Sequence, residues 1–184
     1  MLEILNTPLD GLLVLKPDVF RDGRGDFFET YNKSTYKSAG IADEFLQDNQ
    51  SRSGKNVLRG LHFQVAPFGQ GKLVRVARGE ALDVAVDMRR NSKTYLKHYP
   101  IMLNAENNLM LWIPPGFAHG FLSLTDETII NYKCTHAYNK ASERGIRWND
   151  KDIGIKWGID NPVLSEKDAA LPFEKEFEIM LEGK

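Results

Sequence analysis

From residue 57 onward the chain is a succession of short apolar runs separated by turn-forming residues, a spacing that long helices cannot accommodate. Val57 to Gln64, Lys72 to Ala77, Leu82 to Asp87, Tyr99 to Leu103, Leu109 to Ile113, Gly116 to Leu124 and Thr128 to Thr135 each have the length and composition of a β-strand. Leu82-Asp83-Val84-Ala85-Val86-Asp87 alternates apolar with small or acidic residues, the period-two signature of a half-buried strand. Arg78-Gly79-Glu80, Pro114-Pro115-Gly116 and Thr125-Asp126-Glu127 mark turns. The pattern predicts an all-β body, an antiparallel sandwich or barrel.

The ends are less regular. Leu12 to Leu15 reads as a strand closed by Lys16-Pro17-Asp18, and the turn Asp22 to Gly25 leads into Phe27 to Tyr31 as a hairpin. Ser34 to Ala39 predicts a brief helix stopped by Gly40, and Phe45 to Gln50 resumes extended structure before a polar loop over Ser51 to Asn56. Trp148 and Trp157 anchor loops. Ser165-Glu166-Lys167-Asp168 has the form of a helix N-terminus, and Phe173 to Leu181 predicts a terminal helix.

With 184 residues the chain fits one domain, residues 1–184, around one core. Its 24 Lys and Arg nearly cancel its 25 Asp and Glu, so no general basic field draws nucleic acid or an anionic membrane surface. The single cysteine, Cys134, excludes an internal disulfide framework and suits a reducing compartment. No basic region precedes a long apolar stretch, and no apolar run is long enough to span a membrane. The expectation is a soluble, cytoplasmic protein.

Chemistry in such a body needs polar groups on the inward parity of several strands. Leu58, Gly60, His62 and Gln64 share one face; Thr128, Ile130, Tyr132 and Cys134 share another, and Phe117, His119 and Phe121 a third. His62 therefore either fills core space on one hydrogen bond or serves as a general base. Strict alternation puts Arg59 on the opposite face, so it needs a bulge, a strand end or a neighbouring subunit to reach the same pocket. A barrel metal site pairs histidines one residue apart, whereas the partner of His62 is Gln64, a poor ligand for a first-row metal. Gly69-Gln70-Gly71-Lys72-Leu73 resembles half a phosphate loop, yet Leu73 stands where Ser or Thr is required.

Taken together, these residues resemble the dTDP-4-dehydrorhamnose 3,5-epimerases over nearly the whole chain. The resemblance runs through Phe20 to Gly25, Gln47 to Ser51, Leu58 to Gln64, Lys72 to Val76, Asp83 to Asp87, Ile113 to Phe121, Trp148 to Asp150 and Leu164 to Asp168. It implies a cupin-like jelly-roll barrel with short peripheral helices, a homodimer with exchanged N-terminal strands, and no metal or organic cofactor. The implied reaction inverts carbons 3 and 5 of dTDP-4-dehydro-6-deoxy-glucose, giving dTDP-4-dehydro-L-rhamnose for bacterial surface polysaccharide. By the same resemblance His62 is the base, Asp168 accepts its second ring N–H, Lys72 stabilises the enolate and Tyr132 returns a proton from the opposite face. Phe20 and Tyr138 contact the thymine, and Arg24, Glu29, Gln47, Asn49, Arg59, His119, Glu143 and Lys167 hold the nucleotide sugar. For Asp168 the bare sequence leaves a plain helix-capping role open. Rival readings are an enzyme inverting one carbon or isomerising the ketone between carbons 3 and 4, and a non-catalytic sugar-nucleotide-binding barrel. Retention of Tyr132 is expected to favour double inversion.

Overall fold

A computed structural model describes residues 2–177. In chain order the elements begin with β1 (Leu2–Asn6), β2 (Leu13–Pro17), β3 (Phe20–Asp22), β4 (Gly25–Phe27), α1 (Lys33–Ser38), β5 (Gln47–Ser53), β6 (Leu58–Gln64) and β7 (Lys72–Arg78). They continue with β8 (Glu80–Asp87), β9 (His98–Asn104), β10 (Met110–Ile113), β11 (Phe117–Ser123), β12 (Thr128–Cys134), β13 (Glu143–Gly145) and α2 (Glu166–Ala169). Two antiparallel sheets form the body, one in the order β1-β2-β10-β7-β12-β5 and one in the order β13-β6-β11-β8-β9. This is a double-sheet jelly roll with short peripheral helices, the all-β class expected.

Directly opposed residues of an antiparallel pair share a face, so the registers identify what lies between the sheets. Val74 faces Tyr132 on one side and Leu111 on the other, and Phe121 faces Asp83. Val14, Val74, Val76, Leu103, Leu111, Ile113, Phe117, Phe121 and Ile130 form the inner core. Both sheets are also covered outside. Leu58, Leu61, Phe63, Val84 and Val86 pack under Ile146, Ile153 and Trp157, while Leu15, Leu73, Met110 and Trp112 pack under Tyr36 and Ile41. Burial on two faces explains why several strands read as near-continuous apolar runs.

Four local readings need correction. The hairpin arms are β3 and β4, whereas β2 pairs with β1 and β10, because the turn residues close between Asp22 and Gly25. The segment expected as a polar loop from Ser51 is strand as far as Ser53, since Ser51 and Ser53 pair with Ile130 and Thr128. Arg78-Gly79-Glu80 carries the chain from one sheet to the other instead of turning a strand back on its neighbour. The terminal helix begins at 174 and is helical to 177; the remainder of the segment expected to reach Leu181 lies outside the described residues.

The fourth correction concerns β6. Leu58 joins Leu61 and Phe63 on the outer face, so it does not share a face with His62. His62 pairs with His119 and Arg59 with Phe121, three residues on β6 against two on β11. The extra residue is a bulge, and it brings Arg59 to the face of His62. Gly60 makes the bulge feasible: its φ is +121° and a Cβ there would lie 2.5 Å from Gly120 Cα. Among the described residues no helix is long and apolar enough to cross a membrane.

Candidate active site

β6 lies between β11 and β13, which sets His62 in the middle of a sheet, flanked by His119 and by Gly145. The side-chain-free Gly145 lets Leu171 approach closely; a Cβ there would come within 2.6 Å of Leu171 Cδ2. That contact draws the α2 segment against the sheet. Asp168, from α2, places Oδ1 2.5 Å from His62 Nε2. The carboxylate is 4% exposed and the imidazole is only partly covered, so the pair is backed by protein and open on one side. The open ring nitrogen is Nδ1, and Asp168 fixes the ring's orientation and tautomer.

Lys72 begins β7 and pairs with Cys134 and Ile113, which directs it between the sheets. A solvent-exposed strand end is excluded, since Lys72 is 7% exposed and its Nζ donates to the backbone oxygen of His62 at 3.2 Å. Burial holds its ammonium below the ordinary lysine range, with Cys134, Asp83 and Glu143 pulling the other way. Tyr132 lies two residues from Cys134 on the same face, with Asn49 opposite it on β5. Burial and then Cys134 push its phenol up, against the charge of Arg59. For Asp168, burial alone would raise the carboxyl, but the hydrogen bond and charge of His62, then Ser165 and Lys167, bring it below its usual range.

A ring of polar side chains surrounds these four. Arg59 donates to Ser53 Oγ at 3.1 Å, tying β6 to the edge strand β5. His119 meets Asp83 at 2.9 Å, both buried. Gln47 accepts the N–H of Tyr138 at 2.7 Å and donates to Asn49 at 2.9 Å, while Gln64 accepts the N–H of Asn139 at 2.8 Å. Between them the two glutamines hold the loop that carries Tyr138 at the mouth. Tyr138 Oη then donates to Glu143 at 2.9 Å, and Lys167 meets Glu143 at 2.6 Å. Gln47, Asn49, Arg59, His119, Tyr138, Glu143 and Lys167 thus gather about His62, Lys72, Tyr132 and Asp168.

Phe20, Arg24 and Glu29 do not join them. They belong to the β3–β4 hairpin, a two-stranded sheet of its own, and to the segment after it, whose Phe28 ring lies under the Arg75 guanidinium of β7. Arg24 is bound to Asp22 at 2.6 Å, Glu29 accepts from Asn32 at 3.0 Å, and Phe20 is 65% exposed beside Phe27. Sequence reasoning missed Asp83, the partner of His119; its only signal was an acidic residue at inward parity in an apolar strand. Cys134 is buried, and its thiol accepts from Asn49 Nδ2 at 3.6 Å beside Lys72. A hollow of about 340 Å³, lined by Asp48, Asn49, Arg75, Asn131, Tyr132 and Lys133 of the six-stranded sheet, shares Asn49 and Tyr132 with this group but contains neither His62 nor Asp168. Among the described residues no group of three or more His, Cys, Asp or Glu is gathered as a metal would require.

Such a set of side chains can take a proton on an imidazole, hold negative charge against an ammonium and return a proton from a phenol. Fold and site together define a cupin-type barrel equipped for proton transfer beside a carbonyl. The family model described as dTDP-4-dehydrorhamnose 3,5-epimerase matches residues 6–176, and the chain belongs to that family. A dTDP-4-dehydrorhamnose 3,5-epimerase of Salmonella typhimurium is 50% identical over 174 residues, covering 94% of this chain and 95% of the relative. A crystal structure of the Legionella pneumophila dTDP-6-deoxy-D-glucose-3,5-epimerase, in complex with dTDP-4-keto-L-rhamnose, superposes with a TM-score of 0.94 at 43% identity, over 98% of this chain and 97% of that one. A 3′-monoepimerase of Streptomyces bikiniensis, studied as a double mutant with a histidine and a tyrosine replaced, superposes at 0.89 with 30% identity, over 95% and 89% of the two chains.

Proposed function

We propose that the chain is a dTDP-4-dehydrorhamnose 3,5-epimerase, converting dTDP-4-dehydro-6-deoxy-alpha-D-glucose to dTDP-4-dehydro-beta-L-rhamnose. The observation that carries the reading is the 2.5 Å pairing of His62 with a buried Asp168, beside the buried Lys72 whose Nζ donates to the His62 backbone oxygen. His62 removes the proton from the carbon beside the ketone, and the C–H electron pair moves into the enolate. Lys72 faces the developing oxyanion, and Asp168 stabilises the imidazolium that forms. Tyr132 returns a proton to the opposite face, completing the inversion. Once His62 has released its proton to water and Tyr132 has regained one, repetition at the second carbon flanking the ketone gives double inversion. Identities near 50% to 3,5-epimerases, against 30% to the monoepimerase, favour this over the single-inverting alternative. NMR in deuterated water tests it: deuterium at carbons 3 and 5 is expected, and label at one carbon alone would select the alternative.

The working unit in this reading is a homodimer with exchanged N-terminal strands, one domain per chain. Support comes from Phe20, Arg24 and Glu29, which stand away from the cavity of their own chain with two phenylalanines exposed on the hairpin. In the dimer they reach the nucleotide held in the partner's cavity. Mixing Arg24→Ala with His62→Ala chains under exchange conditions then restores activity, because one site per mixed dimer regains both residues. A nucleotide-activated substrate and a single thiol fit a cytoplasmic enzyme.

A further inference from the structure

The catalytic pair has a third member that no comparison assigns. Asp168 is the third residue of a four-residue helix whose N-cap is Ser165. Ser165 Oγ accepts the backbone N–H of Asp168 at 3.0 Å and donates its own proton to Asp168 Oδ2 at 2.9 Å. The other oxygen, Oδ1, meets His62 Nε2. A hydroxyl has one proton to give, and here that proton and the N–H it accepts both belong to Asp168, so its rotor is set.

A carboxylate needs that constraint. The torsion about the Cβ–Cγ bond of Asp is broad and nearly two-fold, so packing alone orients the group poorly. In an ordinary capping box the acid at this position reaches back to the N-cap N–H; here it reaches the imidazole, and the serine hydroxyl holds its free oxygen. Ser165 is itself well placed. Val163 bridges to Val57 at the start of β6 and bonds Asn56 O and Leu58 N through its backbone, and after α2 Arg147 holds Leu171 O and Pro172 O. Both ends of the segment are therefore tied next to the strand that carries His62.

We propose that Ser165 is a positioning residue for the base, acting through Asp168 to aim the imidazole at substrate. The proposal rests on the assignment of His62 as the base. Its role is separable from helix capping by choice of substituent. Threonine keeps both hydrogen bonds, aspartate keeps an N-cap acceptor but offers no proton and sets a second carboxylate against Asp168, and alanine keeps neither.

The experiment compares Ser165→Thr, Ser165→Asp and Ser165→Ala in the full-length protein. Ser165→Ala and Ser165→Asp are expected to lower kcat by between about tenfold and a hundredfold with KM for the dTDP-sugar little changed, as slight misplacement of a reacting group does. Ser165→Thr should restore kcat. The low-field proton resonance of the His62–Asp168 bond, read on protein without substrate, should move in the alanine and aspartate variants and return in the threonine variant. Wild-type kcat in Ser165→Ala, or recovery of both kcat and thermal midpoint in Ser165→Asp, would show a helix cap only and overturn the proposal. The resonance reads the pair without turnover, so a wild-type protein that shows the resonance but exchanges no deuterium into the keto-sugar would count against the assigned function and not against the hydrogen-bond geometry.

Discussion

Arg59 and His62 stand three residues apart on one strand and yet share its inward face, because β6 spends three residues where β11 spends two. The guanidinium and the imidazole are thereby presented on the same face of the sheet. Regular alternation would have put one of them outside.

The bulge depends on Gly60, since a Cβ there meets Gly120 Cα at 2.5 Å and both atoms are backbone-anchored. Gly60→Ala is expected to cost about 1–3 kcal/mol, the range for overpacking, or more if φ cannot be kept positive. Urea melts of the purified variant check this. A stable variant with unaltered turnover would mean that the bulge is not needed to align the site.

His62→Ala should abolish solvent deuterium incorporation while leaving dTDP binding nearly intact. Asp168→Asn should lower exchange by roughly 10²–10⁴, the usual worth of positioned acid–base groups. Isothermal titration with dTDP and NMR exchange, run on the same preparations, separate the two effects. Persistent exchange in His62→Ala would assign the base to another residue.

Tyr132→Phe removes the acid on the opposite face but leaves the base. Exchange is expected to continue, with impaired or altered product stereochemistry. Product analysis after reduction of the ketone gives the answer, and a wild-type product at a wild-type rate would reduce Tyr132 to packing against the inner core.

Lys72 predicts a pH dependence. Burial lowers its pKa below the ordinary lysine value of 10.5, so the neutral amine takes over at a lower pH than for a surface lysine. If the enolate requires the ammonium, the alkaline limb of kcat/KM falls before that value, and Lys72→Met removes activity throughout. A limb unmoved from 10.5 would separate Lys72 from the rate.

Asp87 predicts acid behaviour of the fold. It is fully buried; that burial alone would raise its carboxyl, but bonds from Arg89, Ser92 and Thr94 bring it down to about 2 from the ordinary 3.8. A depressed carboxylate stabilises the fold above its unfolded pKa and ceases to do so as pH falls through the folded value. The contribution, on the order of 2 kcal/mol, is thus complete near neutrality and lost between about pH 4 and about pH 2. Urea midpoints of wild type and Asp87→Asn should differ near pH 6 and converge toward pH 2.

Much of this molecule follows from local pattern. Period-two runs and turn residues determine the strands, the inward parity of Tyr132 and Cys134, and the Ser165 cap, because these depend on neighbours in the chain. The motifs likewise carry the family. What only the tertiary structure decides are relations between distant segments: the bulge that turns Arg59 inward, the burial of Lys72, the pairing of His119 with Asp83, and the separation of Phe20 and Arg24 from the cavity. Each depends on which strand lies beside which, and that choice is made by packing two sheets face to face. Helix cap and base partner were rival readings of Asp168 in the linear chain; folded, its backbone N–H serves the cap while its carboxylate serves His62.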